Sequence, residues 1–92
     1  DKGISAGENS SVNVQQIFID RAGIGVAAKD SSDVRVGRYL INDTAFCFAA
    51  YQKKTNYFGG TLNLGNGECT ESGISRALEQ DGSKVRFHQP LK

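Results

Sequence analysis

At 92 residues the chain has room for one domain, and a domain of that size buries only about two thirds of the surface its unfolded chain exposes. Eleven Lys and Arg against ten Asp and Glu leave a net charge of +1, which gives no basis for nucleic-acid or anionic-membrane binding. An apolar share of 38% is too high for a disordered chain. No apolar run approaches the roughly 20 residues of a membrane helix. Neither a signal peptide nor an initiator Met is present, as expected of a piece processed or excised from a longer protein.

Read in chain order, residues 2–23, 24–45 and 46–68 repeat one another at a shift of 22. Ile4 falls on Val26 and Phe48, and Ala6 on Ala28 and Ala50. Val12 and Val14 fall on Val34 and Val36, Ile17 and Ile19 on Tyr39 and Ile41, Ser10 on Ser32, and Asp20 on Asn42. One inserted residue near Asn56 carries these columns on to Tyr57, Gly59, Leu62 and Leu64. Each line alternates apolar and polar residues in short stretches, as in Val34-Arg35-Val36, which is how a half-buried strand reads. Gly, Asn, Asp and Ser between the stretches turn the chain.

Three short strands per 22 residues describe one coil of a parallel β-helix, an all-β fold whose coils stack about 4.8 Å apart. A leucine-rich repeat needs closely spaced Leu and an Asn ladder that this chain lacks. An immunoglobulin-like sandwich does not explain why small, apolar and Ser positions recur at one fixed shift. The reading is a single domain over 1–92, with coils at 2–23, 24–45 and 46–68, an irregular closing coil at 69–87 and a tail at 88–92 containing Pro90. Within the closing coil, 80–87 (QDGSKVRF) repeat 29–36 (KDSSDVRV), so Val85 and Phe87 take the places of Val34 and Val36. Residues 71–79 (ESGISRALE) fit a short helix, through Ile74 and Leu78, or a strand.

GIGVAAKDSSDVRV, followed by AAYQKKTNYFGG and then QDGSKVRF, resembles the right-handed parallel β-helix family of the pectate-lyase type. The likeness is closest to the C-terminal ends of bacterial cell-surface proteins and covers nearly the whole chain. The resemblance implies a right-handed coil and an extracellular, cell-surface or periplasmic setting. It says little about activity, because that superfamily includes lyases, hydrolases, phage spikes, adhesins and inert stalks. With about four coils this chain is far shorter than the family's enzymes, which speaks against catalysis and for a terminal piece of a larger protein.

Cys69 falls in the column of Ile24 and Phe46, one coil from Cys47 and one residue along, which gives roughly 5.8 Å between Cα atoms. That is within disulfide range and argues for an oxidising compartment; two buried thiols are the alternative. Two Cys and one His, His88 in the tail, give no metal-site spacing. Asn9 and Asn42 open N-x-S/T sequences, which in the bacterial setting implied by the resemblance carry nothing. Gly59-Gly60 marks the inserted corner.

Two constellations carry candidate chemistry. Asp30 and Asp33 bracket a turn with Glu8 one coil away, and Arg35 faces outward beside them. Surface carboxylates can hold Ca²⁺ or, with a cation beside them, act on acidic glycans, as in polysaccharide lyases and hydrolases; no cofactor is expected otherwise, and Ca²⁺ has a place only under that alternative. The bland counterpart is a solvated corner whose side chains satisfy backbone N–H groups. Lys29, Tyr51, Lys53, Lys54 and Tyr57 form the second group, with Tyr51 over Lys29 and Lys53 near Ser31 and Asp30. Such a cluster binds an acidic glycan through charge and ring stacking, or is a solvated face of loose ion pairs. The expected function is a non-catalytic structural or carbohydrate-binding module, with the lyase or hydrolase as the alternative. Neighbouring coils of a parent protein, or self-association through the coil ends, are the expected protein partners.

Overall fold

A computed structural model describes residues 2–88. Five strands, β1 (Lys2–Ala6), β2 (Ser11–Lys29), β3 (Asp33–Tyr51), β4 (Thr61–Glu79) and β5 (Lys84–Phe87), form one all-parallel sheet in chain order. The described residues contain no helix, and 71–79 belong to β4.

The pairing follows the sequence repeat. β1 pairs with β2, and β2 with β3, at the shift of 22, from Lys2↔Ile24 to Lys29↔Tyr51. The columns Ile4–Val26–Phe48 and Ala6–Ala28–Ala50 stand where the repeat places them. Drawn straight, a 19-residue strand such as β2 would run about 63 Å, yet the longest extent of the molecule is 36 Å. Each long strand therefore bends back on itself. Asp33 pairs with Ser11 although it follows Lys29 by only four residues, so the start and end of β2 border the same short connection.

Backbone of positive φ recurs at the same register. Arg21, Asp43 and Glu71 share one bend (φ 71°, 61° and 55°), and Glu8-Asn9 and Asp30-Ser31 share another. Beside the first bend the Asn42 amide donates to Asp20 Oδ1 at 3.1 Å, and the Thr70 hydroxyl donates to Asn42 Oδ1. Asn42 thus serves a polar ladder from strand to strand.

Three registers differ from the expectation. The insertion before β4 is six residues, since Asp33 pairs with Thr61, 28 residues on. Leu62 therefore lies on Val34 and Leu64 on Val36, and neither Tyr57 nor Gly59 continues a strand column. A further slip between Thr44 and Phe46 puts Phe46 against Ser75, so the third line of the repeat runs 46–74 instead of 46–68. Cys69 pairs with Ile41, away from the column of Ile24 and Phe46. The disulfide Cys47–Cys69 nevertheless forms, with Cα atoms 6.2 Å apart. In the closing segment Val85 lies on Leu62 and Phe87 on Leu64, as the likeness of 80–87 to 29–36 requires. The His88 N–H donates to Leu64 O, so pairing reaches one residue into the expected tail; Pro90 and the rest of that tail lie outside the described residues.

The core gathers Val26, Val34, Val36, Ile41, Phe48, Leu62 and Leu64, all essentially without exposure, and Tyr39. The Phe48 ring meets Tyr39 edge-on at 4.9 Å and Phe87 at 5.7 Å, filling the level at which its own column narrows to Ala77.

Candidate functional site

Where β1, β2 and β4 turn into their successors, four-residue corners repeat: Gly7-Glu8-Asn9-Ser10, Lys29-Asp30-Ser31-Ser32 and Gln80-Asp81-Gly82-Ser83. Ser32 N–H donates to Lys29 O and Ser83 N–H to Gln80 O, so two of these corners close the same backbone turn. After β3 that corner is replaced by the longer segment 52–60. Gly60 takes the place of the corner serine, and a Cβ there would lie 2.0 Å from Ala28 O, so only glycine fits.

Segment 52–60 lies across the preceding corner. The N–H groups of Lys53 and Lys54 donate to Asp30 Oδ1 at 2.7 and 2.8 Å. Phe58 N–H donates to Ser31 Oγ at 2.7 Å, and Ser31 N–H donates back to Phe58 O at 2.8 Å. Gln52 ties the loop internally through Lys54 O and Tyr57 O, and its N–H donates to Gln80 Oε1 at 2.6 Å. The loop is thus pinned to the corners before and after it.

The carboxylate expected on the surface at Asp30 is buried, 1% exposed. Burial pushes its carboxyl up, but the N–H groups of Lys54 and Lys53 and the charges of Lys29 and Lys54 outweigh this and hold it below its ordinary value of 3.8. A carboxyl lowered in the folded state stabilises fully above its unfolded value, and that contribution fades as pH falls through the folded one. Its chemistry is that of a latch for the loop. Asp30→Ala is expected to speed amide hydrogen exchange at Lys53 and Lys54 by at least about tenfold, with a smaller increase for Asp30→Asn; unchanged exchange would show that the latch holds nothing.

Asp33 is half-buried, accepts from the Asn63 amide at 3.3 Å and lies 4.0 Å from the exposed Arg35 guanidinium. Of the second constellation, Tyr51 pairs with Lys29 as the spacing predicts, and both are half-buried. Lys54 bonds Glu8, whose hydrogen bond and charge raise its ammonium above the ordinary value. Lys53 is exposed and Tyr57 half-buried. Sequence reasoning missed Phe58, which is 84% exposed at the end of the same loop. No alternation flags it, because it lies outside every strand. A shallow cavity of about 360 Å³ lies elsewhere, between Phe18, Leu40, Gln16 and Arg38, and none of the candidate residues lines it.

No group of three or more His, Cys, Asp or Glu side chains among the described residues is placed to hold a metal ion, and no helix among them is long and apolar enough to cross a membrane. Comparison with protein-family models, with curated proteins and with solved structures yields no match to this chain.

Proposed function

We propose that the chain is a right-handed parallel β-helix segment of a secreted or cell-surface protein, and that it acts as a non-catalytic module holding an acidic carbohydrate on the loop 52–60. The coiled path is supported by strands too long for the molecule unless they bend, by bends recurring at one register, and by connections of a few residues between parallel neighbours. The right hand follows the strong preference of parallel strand-to-strand crossovers. The disulfide favours an oxidising compartment.

The observation that carries the binding role is the loop itself. It departs from the repeat by six residues, is held by hydrogen bonds at both flanks, and carries the exposed Lys53 and the exposed Phe58 ring on the same segment. Insertions in repeat proteins collect on binding faces, and a cation with a ring suits a carboxylated sugar. With the Asp30 carboxylate buried and bound to backbone N–H groups, the lyase or hydrolase alternative loses one of its two carboxylates.

Calorimetric titration with uronate oligosaccharides, with neutral ones as control, tests the reading. Lys53→Ala and Phe58→Ala are each expected to weaken uronate binding at least about fivefold, the loss of one modest contact. No binding by the wild-type chain, or affinity indifferent to both changes, would remove the proposal. Release of unsaturated product that disappears in Asp33→Asn would replace it with the lyase.

A further inference from the structure

One side of the stack carries a charge pattern of its own. Val34, Val36, Leu62 and Leu64 point into the core, so the residues that alternate with them point out. Pairing sets these outward residues in two adjoining rows along the stack, Asp33–Thr61–Lys84 and Arg35–Asn63–Arg86. Arg35, Lys84 and Arg86 are exposed, and Asp33, Thr61 and Asn63 are half-buried between them. Because the rows run along the side of the stack, strands added beyond either end would lengthen this face and leave it uncovered.

The floor of the face is a fixed polar network. A carboxylate only accepts, so Asn63 turns its amide to Asp33 Oδ1, at 3.3 Å, and its carbonyl to His88. The His88 Nε2–H therefore donates to Asn63 Oδ1, at 2.9 Å. The other Asp33 oxygen lies 4.0 Å from the Arg35 guanidinium. Among the described residues Lys84 and Arg86 have no ion-pair partner. The face thus sets Arg35, Lys84 and Arg86 against Asp33 alone. Around the bend at Arg21, Asp43 and Glu71 the balance is reversed, with Asp20, Asp43 and Glu71 against Arg21. The net charge of +1 is therefore unevenly spread, and an acidic polymer is drawn to the side that bears Arg35 and Arg86.

We infer that this face is an interaction surface for the acidic glycan, and that it holds the sugar units that extend past the loop 52–60. The inference rests on the loop reading given above. Phe58 precedes Thr61 by three residues and Asn63 by five, so at most about 17 Å of chain separates it from the middle of the arginine row. Arg35 and Arg86 stand two strand steps apart, about 9.6 Å, with Asn63 between them. That is close to the length of a disaccharide, so alternate carboxylates of a uronate chain lying along the stack each meet a guanidinium. A guanidinium takes a carboxylate through two parallel N–H bonds, which an ammonium cannot do. The occupant is a polymer, since a dimer is too short to bring carboxylates to both arginines.

Calorimetric titration with a uronate dimer and a uronate hexamer, beside neutral oligosaccharides of both lengths, tests this. The uronate hexamer is expected to bind at least about tenfold more tightly than the dimer. Arg35→Ala with Arg86→Ala is expected to remove that gain while leaving the dimer affinity and the circular dichroism unchanged; Arg21→Ala, on the acidic side, is expected to change neither affinity. Nitrogen-resolved spectra are expected to show the Arg86 Nε–H and Asn63 amide signals moving with the hexamer and not with the dimer. Lys53→Ala is expected to weaken both lengths alike. Equal affinity for dimer and hexamer, a gain shared by the neutral hexamer, or a gain that survives both arginine changes would overturn the inference and leave the loop reading standing. A gain lost with the arginines, in a protein indifferent to Lys53→Ala and Phe58→Ala, would remove the loop and leave the face as the surface that holds the glycan. No binding at either length would remove both.

Discussion

Truncation of Phe48 to alanine is expected to destabilise the fold by about 3–5 kcal/mol, the range for removing a buried aromatic ring. Phe48 is wholly buried, with Val26 before it in its column and Ala77 after it. Its ring touches Tyr39 on one side and Phe87 on the other. The backbone around it is fixed by pairing on both edges of β3, so the cavity has little freedom to collapse. Small domains hold only about 5–15 kcal/mol in total, so the variant is expected to be partly unfolded at 37 °C. Urea denaturation followed by circular dichroism measures the loss. A cost below about 1 kcal/mol would mean that Phe48 is not part of a packed core. Phe48→Leu, which keeps much of the volume, is expected to cost less than half as much.

Removing the disulfide is the second large effect. Cys47 and Cys69 close a loop of sequence separation 22, worth on the order of 3 kcal/mol in the chain-entropy account. For a domain of this size that corresponds to a fall in melting temperature of roughly 12–24 °C. Cys47→Ala with Cys69→Ala, or reduction under native conditions, checks it by calorimetry. The closed loop spans the whole of 52–60, so the bond also restrains the flanks of the candidate site. Amide protection at Lys53, Lys54 and Phe58 is therefore expected to fall in the reduced protein along with global stability. A melting temperature within a few degrees of the oxidised form would show that the strand ladder alone holds these residues in place.

How much of this was legible in the sequence depended on whether a residue sits in the ladder. Parallel strands that follow one another at a constant shift place residue i over i+22, and a buried column takes an apolar side chain at each of these levels. Ile4, Val26 and Phe48, and the three alanines beside them, therefore appear as a repeat in the bare sequence. The same logic brings Tyr51 to Lys29, and Val85 into line with Val34 through Leu62. The length of the insertion was not legible, because loop residues meet no column and carry no alternation. With that length misread, Leu62, Leu64 and Cys69 were each assigned to the wrong column.

The sequence by itself determined the all-β character and the 22-residue step, since both follow from local alternation and constant spacing, whereas the Cys47–Cys69 bond forms in a register that the spacing did not give. Only the tertiary structure decided what becomes of Asp30. Its burial depends on a loop arriving 23 and 24 residues later to lay two N–H groups on its carboxylate. The surroundings of β5 were likewise a tertiary matter. Nothing in the sequence marks Arg76 or Glu79, in a stretch that fits helix or strand, until the fold brings them to Phe87 and Val85. Periodicity reports which face a side chain takes within a strand, whereas these contacts join segments outside the repeat, where spacing carries no information.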